Sequence, residues 1–505
     1  MITPEEKKNP LQLQFSSLSD LGLRKEKSSN SSLSSKYSDC NKTPWKSIWL
    51  TYLIQFLCGI QLSVYFTSMW PYLSGLDQSA TINFFGFVVA AFSVGQTISS
   101  PLLGLWSQKT FSAKDPTAFG LFLTAIGNLL YALLPNFSSN VKYIMMASRF
   151  VTGLGSGTMG VLRAYTATAC EVRHRNKAIS LEIASFVLGM SVGPAVQAIF
   201  APIGKDGFMC GPLFLNMYTV PAYLMIALSI LSIILLFTIF HESYAGLLSK
   251  ESKSPDSLYV LPKFDKYAAG VCLFLWFLNN SLSTNMELIA TPLTIALYGW
   301  NDQEAVLYNG MLQTVSCLLS VGIYFVLGCT RVGKLDRRKM IFFALTVFTI
   351  YHVVNMPWPF YDGPLNYIPK GANSTVQDTS IVGGCYDRYT WCAYTTRVPM
   401  MLYIVTATLC FGIAFPFMSS QTGTLYSEVL GPRHQGFMQG VLAFFGSVSR
   451  CVSPLISAIV FEHYGYLWPT AGQLALLITG MSLLVVFRKR LVPLQLVLRS
   501  EIATN

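Results

Sequence analysis

Ionisable residues interrupt several long apolar segments of this sequence, and they are the groups through which it could do chemistry. Arg450 lies near the middle of one segment, and Arg149 opens a glycine-rich stretch in another. Glu287 lies five residues before Pro292, whose missing N–H lets a helix bend. A charge at the centre of a membrane helix costs roughly 2.5–3.5 kcal/mol. Residues kept at that cost predict a site for an ion, a proton or a charged solute.

Each of these residues has a functional and a structural interpretation. Arg450 could hold an anionic substrate or chloride in a cavity, or pair structurally with a helix carboxylate. Glu287, desolvated beside a hinge, could carry a proton, or it could be hydrated near the mouth of the cavity. Arg149 either lines the cavity or packs against carbonyl groups. If Glu287 and Arg450 share one cavity, proton binding competes with their ion pair and couples transport to pH.

Enzyme chemistry has little support in the sequence. The 5 histidines are scattered without an HExxH pattern or clustered ligand spacing, so neither a metal nor another cofactor is expected. There is no P-loop and no G-x-S-x-G, which leaves ATP-driven pumping and hydrolysis without a motif. We therefore expect no enzyme and no catalytic residue.

The composition is that of a polytopic membrane protein. Hydrophobic residues make up 52% of the 505 and charged residues 12%, against about 25% charged in soluble proteins. Segments of about 20 apolar residues, long enough to span a bilayer as helices, recur from residue 45. Twelve are predicted, at 47–73, 83–105, 117–135, 142–168, 177–202, 215–240, 267–298, 305–328, 339–358, 399–426, 436–461 and 468–487.

The net charge of +11 reflects membrane topology. Of 35 Lys and Arg residues, 27 fall on the side of the predicted termini, five on the other side and three within helices. By the positive-inside rule both termini are cytosolic. Because the basic residues follow the membrane topology, the charge does not predict binding to nucleic acid, and the partners expected are the lipid bilayer and a small-molecule or ion substrate.

This topology sets expectations for further residues. Arg163, near the cytosolic end of helix 4, and Glu182, near the start of helix 5, lie at similar depth and predict a structural ion pair. The residues expected to act in gating or as hinges are Gly104, Gly193, Pro194, Pro292 and Pro454.

The twelve segments form an internal duplication. Pro71 and Pro292 are 221 residues apart, Gly104 and Gly328 are 224 apart, and Pro194 and Pro454 are 260 apart, the excess matching a loop at 359–398 found only in the second half. The predicted fold is all-α, with two parallel six-helix pseudo-repeats and a substrate cavity between them.

The domain boundaries follow from this duplication. A disordered cytosolic tail is predicted at 1–44 and the first six-helix half at 45–241. A cytosolic linker at 242–265, the second half at 266–488 and a cytosolic tail at 489–505 follow.

Several motifs resemble the major facilitator superfamily. Residues 104–109 resemble its signature after helix 2, 149–157 its helix 4 signature and 189–194 its helix 5 signature. Residues 287–294, 305–310, 430–432 and 435–436, with Trp300, Trp391, Cys392 and Arg450, resemble a lysosomal group of that superfamily, which includes the protein affected in type-7 neuronal ceroid lipofuscinosis. The resemblance covers roughly 45–490.

The resemblance implies a lysosomal or late-endosomal transporter of a small solute or ion, and a chloride conductance has been proposed for this group. One departure concerns gating, because Gln108 stands where the superfamily usually has an acid. Asp336, with Arg337 and Arg338, could partly serve this role in the second half.

The loop at 359–398 is the main lumenal feature. Asn373 begins an N-glycosylation sequence, and Cys385 and Cys392 predict a disulfide in an oxidising lumen. Two cytosolic patterns, at 6–11 and 244–247, are candidate signals for sorting adaptors. A transporter, whether or not it is proton-coupled, is the leading hypothesis, and an anion channel and a non-transporting sensor or scaffold remain open.

Overall fold

Helices make up nearly all of the regular structure. The computed structural model describes residues 43–65, 68–77, 82–137, 139–204, 207–210, 213–245, 259–260, 262–368, 383–387, 389–494 and 497–498. Residues 1–42 of the predicted tail at 1–44, the glycosylation site Asn373 and the sorting pattern at 6–11 lie outside these ranges. So do parts of the linker at 242–265, of the sorting pattern at 244–247 and of the predicted tail at 489–505.

Fourteen α-helices occur in the described ranges. They are α1 (Trp45–Ser63), α2 (Met69–Leu76), α3 (Ile82–Thr110), α4 (Lys114–Ala132), α5 (Val141–Gly155), α6 (Thr158–Ala169), α7 (Val172–Ile199), α8 (Thr219–Thr238), α9 (Lys266–Tyr298), α10 (Asp302–Cys329), α11 (Arg337–Val354), α12 (Met400–Leu430), α13 (Gly436–Tyr464) and α14 (Leu467–Val486). We call α1–α8 the N-terminal group and α9–α14 the C-terminal group.

Short elements connect these helices. Strand β1 (Phe208–Cys210) pairs antiparallel with β2 (Leu213–Leu215), and β3 (Tyr259–Val260) pairs antiparallel with β4 (Val497–Leu498). The 3₁₀ turns are Leu134–Asn136, Ala201–Ile203, Arg331–Lys334 and Thr390–Ala393.

Seven helices contain stretches long and apolar enough to cross a membrane. These stretches are Phe84–Thr110, Arg173–Gln197, Thr219–Thr238, Leu307–Cys329, Met400–Leu430, Gly436–Tyr464 and Leu467–Val486. The chain is therefore a multi-pass membrane protein. Two of the twelve predicted segments, 47–73 and 142–168, are each divided between two helices in the structure.

Helix starts in the C-terminal group follow from local side-chain capping. Asp265 accepts hydrogen bonds from the backbone N–H groups of Tyr267 and Ala268 at the start of α9. Asn301 and Glu304 form a reciprocal capping box at the start of α10. Such caps satisfy N–H groups that have no partner within the helix.

Each group of helices has its own apolar core. The C-terminal core includes the fully buried Leu275, Phe348 and Leu477, and the N-terminal core includes Leu73 and Met145. Burial of these side chains removes apolar area from solvent and holds each group together.

The two ends of the helix bundle differ in chemistry. We call the end carrying Lys109, Arg175, Arg337 and Arg433 the basic end. The opposite end, here called the disulfide end, carries the bond between Cys385 and Cys392, with an S–S distance of 2.05 Å. Trp391, 1% exposed, packs beside that bond against Phe461.

Candidate transport cavity

One arginine from each group of helices lies where the two groups meet, here called the centre. Arg163 lies on α6 and Arg450 on α13, near enough for their positive charges to repel. Arg163 also lies 4.7 Å from the ring of Trp276 on α9, a cation–π contact between the groups. The Nε atoms of both arginines are buried without a hydrogen-bond partner. The centre therefore offers unused donors to a ligand.

Glu287 lies near the same centre. Its charge attracts Arg450, and its carboxylate accepts a hydrogen bond from Ser283 at 3.3 Å. The side chain is exposed although α9 passes through the bundle. Exposure at this depth indicates that the central space is open to solvent.

A second carboxylate lies within the N-terminal group. Glu182 on α7 is 2% exposed and accepts a hydrogen bond from Gln55 at 2.9 Å, while its other oxygen is buried without a partner. Its charge attracts Arg163. Within the described residues, Arg163 and Glu182 form no direct salt bridge, and neither do Arg450 and Glu287. Oppositely charged side chains thus lie close to one another without forming direct ion pairs.

Two further residues of this centre, Gln55 and Trp276, were not predicted from the sequence. Gln55 could have been recognised as a polar residue within an apolar segment, whereas Trp276 is one aromatic residue among many. The hydroxyl group of Tyr324 is 2.6 Å from that of Ser419.

At the basic end, α3 and α13 pack backbone against backbone. A Cβ on Gly104 would overlap the carbonyl oxygen of Gly436, and one on Gly440 would lie 2.5 Å from the carbonyl oxygen of Ser100. The side chain of Gln108 accepts a hydrogen bond from the N–H of Phe437 at 3.0 Å. Because only glycine permits this approach, the pair α3–α13 closes one side of the cavity.

A second contact closes the other side of the basic end. The Asn176 side chain on α7 donates to the carbonyl oxygen of Leu327 on α10 at 2.9 Å. Ser180 and Ser420 share a hydrogen bond of 2.5 Å between α7 and α12. A Cβ on Gly333 would overlap the Leu327 carbonyl oxygen and approach the Asn176 amide. Polar contacts between the groups therefore seal the basic end.

The same helices carry open surfaces towards the disulfide end. An added Cβ on Gly86 of α3, or on Gly310 of α10, would have no neighbour within 4 Å. Phe87 is 66% exposed and Ile459 of α13 is 61% exposed. Contacts between the groups thus concentrate at the basic end, and the central space opens towards the disulfide end.

The predicted gating and hinge residues fall at different kinds of place. Gly104 lies in the closed contact of the basic end, and a Cβ on Gly193 would overlap the Ser63 hydroxyl where α7 packs against α1. Pro194, Pro292 and Pro454 lie inside α7, α9 and α13, respectively.

Arg149 does not join Arg450 and Glu287. It is 3% exposed on α5, with its guanidinium 5.4 Å from the ring of Tyr65 and 4.9 Å from that of Phe92, all within the N-terminal group. Among the described residues, no three His, Cys, Asp or Glu side chains are grouped to hold a metal ion.

Sequence comparison identifies the family. The sequence model of the Major Facilitator Superfamily matches residues 51–368. The chain belongs to the major facilitator superfamily. It is also 31% identical over 481 residues to Major facilitator superfamily domain-containing protein 8 of Xenopus laevis, which covers 90% of this chain and 92% of that protein. This major facilitator protein therefore belongs to a family of membrane transporters, and it is not an enzyme.

Solved major facilitator structures share the fold. The proton:xylose symporter XylE, bound to 6-bromo-6-deoxy-D-glucose, superposes with a TM-score of 0.64 at 14% identity, over 88% of this chain and 95% of that one. The human organic anion transporter MFSD10 superposes with a TM-score of 0.57 at 17% identity, over 87% of this chain and 99% of that one. At these identities the likeness establishes the major facilitator fold alone.

Proposed function

We propose that this major facilitator protein is a secondary transporter of a small anionic solute or ion. The observation that carries the proposal is the meeting of Arg163 and Arg450, from opposite groups of helices, with unpartnered buried Nε atoms. Their positive charges repel, and an anion bound between them would lower that repulsion. A substrate bound there contacts both groups, which is what a carrier with alternating access needs.

The movement we propose exchanges the contacts at the two ends. The basic end is closed by α3 against α13 and by α7 against α10, and the central space opens towards the disulfide end. Rocking of the two groups about the central arginines would break the basic-end contacts and close the disulfide end. Phe87 and Ile459, which are exposed towards that end, would then become buried.

Proton coupling is assigned to Glu287. A proton on this carboxylate removes its attraction to Arg450, so protonation and anion binding at the arginine are linked. Replacing Glu287 with Gln mimics the protonated form and should abolish the pH dependence of transport while leaving trafficking intact. An unchanged pH dependence would exclude Glu287 as the coupling group.

We place the protein in the lysosomal or late-endosomal membrane, as twelve spans in two halves, 45–241 and 266–488, with both termini and the basic end cytosolic. The distribution of Lys and Arg supports this orientation. Asn373 would then be lumenal. Endoglycosidase treatment should therefore lower the apparent mass of the wild-type protein on a gel and leave that of Asn373→Gln unchanged. Candidate sorting-adaptor contacts would be cytosolic.

The decisive test is reconstitution of the full chain in liposomes. A metabolite extract is supplied outside the liposomes, with and without a pH gradient. Mass spectrometry before and after incubation then identifies the metabolites that have been taken up. Arg450→Gln should lower uptake of the transported anion by about tenfold or more, since hydrogen bonds to charged groups contribute about 1.5–3 kcal/mol. The matched control is Arg433→Gln, a basic-end arginine whose guanidinium donates to the Pro262 carbonyl oxygen. Equal loss in both variants would contradict the central site.

An anion channel is the second candidate. The central arginines lack direct carboxylate partners in the described structure, so they could also attract chloride along a continuous path. Patch-clamp recording from lysosomes separates the two, because a channel carries far more charge per second than a carrier. A protein with neither current nor uptake would be a sensor or scaffold.

A further inference from the structure

The interior of the N-terminal group contains an arginine without a counter-charge. Arg149 is 3% exposed, and its Nε and Nη1 atoms have no hydrogen-bond partner. In the part of the chain that the structure describes, no Asp or Glu pairs with Arg149, and the rings of Tyr65 and Phe92 lie 5.4 and 4.9 Å from its guanidinium. A buried guanidinium lacking an anionic partner is costly, because its solvation in water is lost without replacement.

Tyrosine hydroxyl groups without partners surround the same interior. The buried hydroxyls of Tyr72, Tyr131, Tyr218 and Tyr223 form no hydrogen bond. Their rings are contiguous: Tyr72 lies 5.3 Å from Tyr131 and 4.8 Å from Tyr218, between ring centroids. Buried polar groups almost always have a partner, so several orphans in one place indicate a missing bound species.

Neighbouring polar groups are already satisfied and cannot supply that partner. Asn128 exchanges hydrogen bonds with Gln61 and accepts one from the hydroxyl of Tyr65 at 2.7 Å. The Tyr65 and Tyr131 rings are 4.5 Å apart, which leaves little room between these side chains. A species bound there must therefore be small, and an anion would also neutralise the charge of the guanidinium.

We propose that Arg149, with the hydroxyl groups of Tyr72 and Tyr131, binds a small monovalent inorganic anion inside the N-terminal group. The anion accepts hydrogen bonds from the guanidinium and the hydroxyls and neutralises the buried charge. This site is separate from the central cavity of Arg450, and it holds its ion as part of the structure of α2, α4 and α5.

Thermal unfolding of the full-length protein tests the site. The protein is purified in gluconate and titrated with sodium chloride or sodium bromide at constant ionic strength. Wild type should show a saturable rise in Tm with either halide relative to gluconate. Tyr72→Phe combined with Tyr131→Phe keeps the rings and removes two donors, so half-saturation should need about tenfold more halide.

Two single-arginine variants locate the halide. Arg149→Gln should lose the halide-dependent rise, whereas Arg450→Gln, at the central cavity, should keep it. Absence of a halide-specific rise in wild type, or its loss in Arg450→Gln with retention in Arg149→Gln, would overturn the proposal. If Arg149→Gln fails to fold, the double tyrosine variant decides, and an unchanged half-saturation there overturns it.

Discussion

The two turns that close the basic end do so by different means. After α3, the contact is backbone against backbone at Gly104 and Gly436, completed by the neutral side chain of Gln108. After α10, charged side chains dominate: Arg337 lies 3.3 Å from Glu428, and Arg338 lies 2.7 Å from Asp336. The two turns thus lie at the same end of the bundle and differ in chemistry.

The two turns show separately how steric fit and charged side chains hold the basic end closed. The α3 turn joins the two groups directly, since Gln108 receives a hydrogen bond from the N-terminus of α13. In the α10 turn Arg337 is bonded to Gln421 and Glu428 of its own group, and the link to the N-terminal group passes through Asn176. Steric closeness therefore governs the first contact and electrostatics support the second.

The largest effect is expected from Gly104→Val. A Cβ there overlaps the Gly436 carbonyl oxygen, so the helices must separate. Overpacking of this kind costs roughly 1–3 kcal/mol, and it should favour opening of the basic end. The measurement is labelling of Cys317, half-buried on α10, by an impermeant maleimide added on the basic side.

Two controls accompany the glycine substitution. Gly86→Val lies on the same helix with open space around it and should leave labelling unchanged. Cys317→Ser identifies the labelled thiol. Equal labelling in Gly104→Val and wild type would show that steric closeness at α3 does not hold this end shut.

The next effect concerns Arg337→Met. It leaves the Glu428 carboxylate, 13% exposed, without its partner, and we expect a loss of about 2 kcal/mol in the free energy of unfolding. Combining it with Glu428→Gln should recover part of this loss, which a double-mutant cycle measures by thermal unfolding. Additive losses would argue against a direct interaction.

A smaller effect is expected at Gln108. Gln108→Ala removes the acceptor for the N–H of Phe437 and should cost about 1 kcal/mol, like the loss of a helix cap. Gln108→Glu should instead stabilise the closed end by about 0.3–1 kcal/mol through the dipole of α13. The labelling rate of Cys317 from the basic side should rise in the first variant and fall in the second.

The smallest effect concerns pH. Hydrogen bonds from Arg338 hold the pKa of Asp336 below its usual range. Because the folded pKa is lowered, the stabilisation exists above about pH 4 and is lost as pH falls through the folded pKa. Asp336→Asn should lower Tm slightly at neutral pH, with a loss of under about 1 kcal/mol in the free energy of unfolding. The difference should disappear at pH values below the folded pKa of Asp336. A difference that persists there would point to another cause.

Some of the cavity could be predicted from the sequence, for physical reasons. The cost of a charge in an apolar segment marks Arg450 and Glu287, whose opposite charges interact in the structure. The same argument marks Arg149 but cannot tell which side of its helix faces the cavity, and the structure buries it elsewhere. The breaks within 47–73 and 142–168 were not predicted, since apolar composition continues through both.

The break between α5 and α6 lies between the two arginine sites along the chain. Gly157 lies at this joint, where an added Cβ would overlap the Ser99 hydroxyl on α3. Arg149 lies on α5, before this joint, and Arg163 lies on α6, after it. Because the joint packs closely against α3, we expect a displacement of Arg163 during transport to occur by bending at Gly157, with α5 and Arg149 staying in place.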